Sequence, residues 1–379
     1  MTWDALAAYD ALTGGRSRYV RVDELCRNAA ERFPGLVPGA DALAAEARLA
    51  QKDKRGLEKA QGAFLAAVLA DPVAGAHLCH AMLLPREDSQ RHLAEFEAKG
   101  ELSLHGALLR RIGNAAVVTM RNPRFLNAED ESTLPGLETA VDVALLDRKS
   151  ELCVLRGDTV QHAKYAGQHV FGAGINLTHL YQGKIRYLWY LIRDLGLVNK
   201  FYRGLALPAV SPEVDCIEKP WVAAVERFAI GGHCQILLAM DYVLAAEDAY
   251  MTLPARKEGI IPGAANLRLP RFVGARVARQ AILAELRMDC ASVQGRMICD
   301  EIVPAAEMDQ AIERSVAHLT SSGVVSAASN RRAFRAGEEP LDTFRRYMAV
   351  YAREQADCHF SPALIANLER HWNAANRRG

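Results

Sequence analysis

The chain has 379 residues, half of them apolar and 24% charged, the balance of a soluble globular protein with a large core and room for a second domain. Lys plus Arg (46) and Asp plus Glu (45) nearly cancel, so no global charge recruits nucleic acid or an acidic membrane. No apolar run reaches the roughly 18 residues needed to span a bilayer. "MTWDALAAYDALTGG" lacks the charged and apolar blocks of a secretory signal, so a cytoplasmic protein is expected.

The first hundred residues read as helices. Ala60, Phe64, Leu65, Val68 and Leu69 recur at helical spacing until Asp71 and Pro72 stop the run. "DPVAGAHLCHAMLLP" predicts a second helix closed by Pro85, and "SQRHLAEFEAKG" a third ending at Gly100. His77, Cys79 and His80 in the second imitate a metal fragment, but without a second cluster they read as structural. The eight cysteines are scattered without a CxxC pair and read as reduced core residues.

Near residue 114 the texture changes. "NAAVVTM", "ELCVLRG", "WVAAVERFAI" and "DYVLAAED" predict short strands, with "LPGLETAVDVALLD" a helix among them. Alternating strands and helices predict an α/β core. From about 275 the pattern turns helical again, in "RVARQAILAELR" and "LDTFRRYMAVYAREQADCHF". The expected organisation is a helical N-terminal region (1–110), an α/β core (111–275) and a helical C-terminal region (276–379) covering the core or meeting another subunit.

Several functions lack their motifs. There is no GxxxxGK[ST] phosphate loop, no GxSxG nucleophile elbow and no HExxH metal pair. "GAGINL" contains GxG without the third glycine of a dinucleotide fingerprint. "RGD" at 156–158 directly follows a predicted buried strand and reads as accidental.

Two glycine turns remain. In "VFGAGINL" Gly174 precedes Ile175, and in "AIGGHCQ" Gly231 and Gly232 open a helix. Glycine permits close backbone approach and frees N–H groups to face a cavity. Two converging donors would form an oxyanion hole, although two tight turns packed in a core explain the same residues.

Four motifs occur in a fixed order: "RNPRFLNAED" (121–130), "VFGAGINL" (170–177), "KPWVAAVERFAIGGHCQILLAMDYVLA" (219–245) and "TLPARKEGIIPGAANLRLPRFVG" (252–274). Together they resemble the crotonase, or enoyl-CoA hydratase/isomerase, superfamily over roughly residues 110 to 310. The resemblance implies a spiral of ββα units, with a helical N-terminal region and helical tail added here, assembled as a homotrimer or a hexamer of two trimers. It implies that the backbones of Ile175 and Gly232 hold the thioester oxygen of an acyl-CoA as an enolate.

The departures from that family carry information. Hydratases place one Glu in the helix after the second turn and another directly after the next motif's proline. This chain has Gln235 and Ala255 there. Neither residue can activate water or shuttle a proton at neutral pH. Glu258 lies close by, but its three-residue offset predicts that it faces elsewhere.

These departures resemble one branch of the superfamily, the cofactor-independent dioxygenases acting on arylacetyl-CoA in dihydroxyphenylglycine supply for nonribosomal peptide antibiotics. "DALTGGRSRYVRV", "AGAHLCHAMLLP" and "SNRRAFRAG" extend that likeness to nearly the whole chain. It implies O2 as co-substrate, CoA as part of the substrate, no metal or other cofactor, and no nucleic-acid or membrane partner. Gln235 is expected near the reacting centre, or else is a helix residue facing a polar neighbour. Glu129 and Arg193 are expected to grip ring hydroxyls, with an Arg193–Asp194 salt bridge as the plainer alternative. His162, Lys164 and Tyr165 are expected to contact CoA, unless they are simply exposed polar residues. His233 stands where the family commonly has glycine. Two other readings remain: hydrolysis, isomerisation or decarboxylation without O2, and a non-catalytic trimeric scaffold that binds acyl-CoA.

Overall fold

The computed structural model describes residues 4–211, 213 and 215–377. Its centre is a seven-stranded sheet of β1 (Glu101–Leu104), β2 (Ala107–Ile112), β3 (Ala115–Met120), β4 (Leu152–Gly157), β5 (Trp221–Val225), β6 (Tyr242–Ala246) and β7 (Glu301–Val303). These strands lie side by side in chain order. The first three pair antiparallel and the rest are parallel. All five residues of β5 are buried, as expected of a parallel strand covered on both faces.

After β4, β5 and β6 the chain repeats one move. It leaves the main sheet, runs briefly along a second layer, turns, and enters a short helix. The second-layer segments are Gly172, bridged to Ala229, then Phe228–Ile230, then Tyr250–Thr252 beside it. The helices that follow are Leu177–Tyr181, Gly232–Leu237 and Ala255–Glu258. The layer change after β5 divides "WVAAVERFAI" into two strands, because Arg227 takes a left-handed φ of 63°. Three consecutive strand-to-helix turns are thereby stacked on one side of the molecule.

The expected helices near the N-terminus are present at Lys59–Ala70, Pro72–Leu83 and Ser89–Lys99. Asp71 caps the second by accepting from the Val73 and Ala74 N–H groups. Gly100 ends the third in a left-handed conformation. The helical texture ends earlier than residue 110, because β1 and β2 form a hairpin. Strand β7 likewise lies beyond 275, since its three residues are too short to display a period.

A continuous apolar core runs from Ala8 to Ala374. Buried ions tie the ends to the middle: Lys200 binds Glu138 and Asp142, Arg21 reaches Glu138, and Arg268 and Arg203 converge on Glu339. Seven of the eight cysteines are buried, and all eight are free thiols. His77 and His80 stack against Tyr19. Among the described residues no three His, Cys, Asp or Glu side chains are grouped to hold a metal ion. No single helix there is long and apolar enough to cross a membrane.

Candidate active site

The site grows from the three stacked turns. In the first, Gly174 has a φ of 77°; in the second, Gly231 has a φ of 55°. A methyl carbon built on Gly174 would stand 2.8 Å from the Ile230 carbonyl oxygen and 3.3 Å from the Gly232 nitrogen. Only glycine permits this approach. Neither the Ile175 nor the Gly232 N–H has a hydrogen-bond partner among the described residues. Two free donors therefore sit on adjoining loops, as an oxyanion hole requires.

His233 joins the two loops. Its Nδ1 accepts the Gly174 N–H at 2.8 Å, and its ring presses on Gly172, where a methyl carbon would meet imidazole atoms at 2.3 Å. Burial, aided by Arg193 and opposed by Glu129, lowers the imidazole to about 4. It is neutral at pH 7, and with Nδ1 accepting, the proton resides on Nε2. Sequence reasoning gave this residue no role; its partner lies 59 positions away.

The "RNPRFLNAED" motif is a brace. Asn122 donates to the Ala128 carbonyl at 2.7 Å and Asn127 to the Val170 carbonyl at 2.8 Å. The Glu129 N–H then donates to the Gly174 carbonyl, and the Asn176 N–H to the Glu129 carbonyl, each at 2.8 Å. Glu129 is thereby fixed beside Ile175.

Arg193 opens a π-helical turn, Arg193–Val198, and its guanidinium is 4% exposed. Nε and Nη2 hold Glu129 at 3.0 and 2.7 Å. Nη1 donates to Asp194 at 3.0 Å and to Gln235 Oε1 at 2.5 Å, and Nη2 also reaches the Gly232 carbonyl at 2.9 Å. Burial opposes its charge, but Glu129 and Asp194 outweigh that and hold it above its ordinary range. All five N–H groups are used, so Arg193 can reach a ring hydroxyl only by giving up one of these bonds. The Asp194 contact weighed from the sequence is present, together with three other acceptors. Glu129 retains lone pairs for a further donor.

Gln235, 1% exposed, closes the network: Oε1 accepts from Arg193 and Nε2 donates to Asp194 at 2.8 Å. Its amide abuts Gly263, where a methyl carbon would meet Nε2 at 2.3 Å. Unlike an ionised carboxylate of the same shape, the amide can accept from a cation and donate to a carboxylate at once.

Two cavities meet at these turns. The outer groove, about 380 Å³, is lined by His162, Tyr165, Phe228, Tyr250 and, from the C-terminal helix Pro362–Trp372, His371 and Trp372. Lys164 is not on its wall; its ammonium lies over the Tyr165 ring at 5.1 Å. Lys257 and Arg377, also on the wall, add basic groups the sequence did not single out. The inner chamber, about 30 Å³, is bounded by Trp189, Tyr190, Ile260, Ile261, Pro262 and Tyr351 beside Gly232 and Gln235. Helix Leu341–His359 braces it: Gln355 accepts the Ile261 N–H at 2.9 Å and Tyr347 donates to the Gly263 carbonyl. Ile175 and Glu258 border both cavities.

Glu258 corrects the sequence expectation. A carbon built on Gly231 would lie 3.7 Å from its carboxylate, so the side chain faces the second turn rather than away. The reason is local: Ala255–Glu258 is a single helical turn, and residues three apart share one side of a helix.

Comparison with known proteins agrees with this geometry. The enoyl-CoA hydratase/isomerase family model matches residues 111–355. The chain is 47% identical to the (3,5-dihydroxyphenyl)acetyl-CoA 1,2-dioxygenase of Amycolatopsis orientalis, over 92% of this chain and 80% of that protein. It is 26% identical to a short-chain-enoyl-CoA hydratase of Clostridium acetobutylicum, over 64% of this chain and 86% of that one. Among solved structures, an enoyl-CoA hydratase from Mycobacterium avium subsp. paratuberculosis shares the fold with a TM-score of 0.58 at 21% identity, covering 70% of this chain and 98% of that chain. With a family match across most of its length and turns built as that fold requires, this chain belongs to the enoyl-CoA hydratase/isomerase family.

Proposed function

We propose that the protein is a cofactor-independent dioxygenase converting 3,5-dihydroxyphenylacetyl-CoA and O2 to 3,5-dihydroxyphenylglyoxylate and CoA. The observation that carries this reading is the pair of unpartnered N–H groups, Ile175 and Gly232, beside Gln235 and Ala255 in a chain 47% identical to an enzyme of that name. The α-hydrogens of an arylacetyl thioester are acidified by both neighbours. The two N–H groups hold the enolate oxygen, each worth roughly 3–4 kcal/mol at such a site. The enolate passes an electron to O2, and recombination gives a peroxide at the α-carbon. Attack of that peroxide on the thioester carbonyl expels CoA thiolate through a four-membered peroxide, which opens to the keto acid.

The roles follow the geometry. The small chamber walled by Ile260, Ile261 and Pro262 suits O2 and excludes bulk water, which would protonate the enolate. Glu129 accepts from a ring hydroxyl while Arg193, itself braced by Gln235, holds it in place. His162 and Tyr165 flank the CoA moiety, and Lys164 stiffens that wall. A homotrimer or hexamer, expected from the fold, is part of this reading and is checked by light scattering.

The decisive experiment is an oxygen electrode with purified protein and the arylacetyl-CoA. One O2 consumed per CoA released is expected. CoA release without O2 uptake would replace this reading with thioester hydrolysis by the same oxyanion hole. Stoichiometric iron or copper in active protein would overturn cofactor independence.

A further inference from the structure

Glu258 is an ionisable group left without a partner at the meeting point of two cavities. Its carboxylate has no hydrogen bond and no ion pair among the described residues. The neighbouring cations on its own turn are engaged elsewhere, since Arg256 and Lys257 both hold Glu285, at 3.2 and 2.6 Å. The side chain is 7% exposed and borders the groove that would admit the thioester and the chamber beyond it. It stands 3.7 Å from where a Gly231 side chain would begin, one residue before the Gly232 oxyanion donor.

We propose that Glu258 is the catalytic base that removes the α-proton, an inference that rests on the dioxygenase reading. The first α C–H bond breaks, the proton moves to the Glu258 carboxylate, and the electron pair passes to the thioester oxygen held by Ile175 and Gly232. After O2 addition and ring closure, the neutral acid returns that proton to the departing CoA thiolate. The regenerated carboxylate takes the second α-hydrogen as the O–O bond breaks, leaving ketone and carboxylate. Both α-hydrogens are thus accounted for, one on CoA and one on the base, from which solvent recovers it.

Burial alone raises this carboxyl to about 7, which suits a group that must both take and return a proton near neutrality. The titratable and charged groups on the chamber wall around it are Tyr190, Tyr351 and the paired Arg193 and Asp194. The groove wall adds Arg124, His162, Tyr165, Tyr250, Lys257, His371 and Arg377. Tyr190 and Tyr351 are held in the neutral form by burial. They cannot serve as the base at neutral pH.

The test compares the full-length protein with its Glu258→Gln and Glu258→Asp variants on 3,5-dihydroxyphenylacetyl-CoA. Aerobically, Glu258→Gln should lose at least about 100-fold in kcat of O2 uptake with little change in KM, and Glu258→Asp should recover part of it. Without O2, in heavy water, the wild type should exchange its α-hydrogens by mass spectrometry and Glu258→Gln should not. Wild-type kcat/KM should rise through pH 7, a limb the Gln variant lacks. A folded Glu258→Gln variant that takes up O2 at the wild-type rate would overturn the assignment of Glu258 alone. A wild type that exchanges α-hydrogens but consumes no O2 would overturn the dioxygenase reading, while the exchange rates still judge the base.

Discussion

His233 Nδ1 accepts the Gly174 backbone N–H at 2.8 Å, so one imidazole fixes the spacing of the two loops that carry the oxyanion donors. Without it, the Gly174 N–H would be buried and unpaired, and the first turn would lose its register on the second. His233→Ala should lower kcat by about 10- to 100-fold and stability by about 1–3 kcal/mol, because a buried donor loses its acceptor. Its KM should hardly move. Steady-state kinetics and urea denaturation read both quantities.

The same imidazole makes the fold sensitive to acid. His233 binds its proton near pH 4 when folded and near 6.5 when unfolded, so between those values the unfolded chain carries the extra proton. Stability therefore falls as pH drops through that window, by about 3 kcal/mol from this group once below it. His359, lowered by burial to about 3, acts in the same direction. His233→Asn keeps an acceptor near the Gly174 N–H but does not titrate. Its stability loss between pH 7 and 4.5 should be smaller than that of the wild type, measured by urea midpoints.

The first turn tolerates no side chain. Gly174→Ala places a methyl carbon 2.8 Å from the Ile230 carbonyl oxygen in a left-handed backbone. The turn must open, separating the Ile175 and Gly232 donors. Loss of about 100-fold or more in kcat is expected, with acyl-CoA binding weakened far less, because the oxygen carries its full negative charge only after proton removal. Isothermal titration with a non-hydrolysable thioether analogue separates the two effects.

Glu129 and Arg193 form a buried pair whose removal can be graded. Glu129→Ala strands a cation at 4% exposure, with Asp194 as its remaining counter-charge, and should cost about 3 kcal/mol or more. Glu129→Gln keeps the shape and one acceptor, so it should cost less. If Glu129 accepts from a ring hydroxyl, Glu129→Gln should raise KM for the dihydroxy substrate more than for unsubstituted phenylacetyl-CoA. Equal effects on the two substrates would confine Glu129 to bracing.

The glycine turns, the amide at 235 and the alanine at 255 were legible in the sequence because each occupies a fixed place in an ordered motif. What lay hidden was pairing at a distance. Gln235 meets Asp194 and Arg193 from 41 and 42 positions away, and no local period reports that. The sequence offered Asp194 as a salt-bridge partner of Arg193, but not as the acceptor of the Gln235 amide. Glu258 was misjudged because its offset of three was taken to turn it away; in a one-turn helix that offset preserves the side. The strands at 101–112 and 301–303 were missed because they are short: the first two alternate buried and exposed residues over only four and six positions, and the last has three.

The amide at 235 can be tested by restoring the acid. In Gln235→Glu the new carboxylate would share Arg193 with Asp194 and Glu129 and could no longer donate to Asp194. Three carboxylates around one buried cation repel, so the new group should hold a proton well above the ordinary Glu range. Protonated, it would recover the donor to Asp194 but present an acidic hydrogen beside the enolate. Protonation at carbon would then compete with electron transfer to O2. We expect Gln235→Glu to consume markedly less O2 per substrate turned over and to exchange α-hydrogens in heavy water under air, which the wild type should do only without O2. Stability should drop by about 1–3 kcal/mol where the network is left short of a donor. An unchanged O2 yield with no aerobic exchange would mean that the amide serves only to hold Arg193 and Asp194.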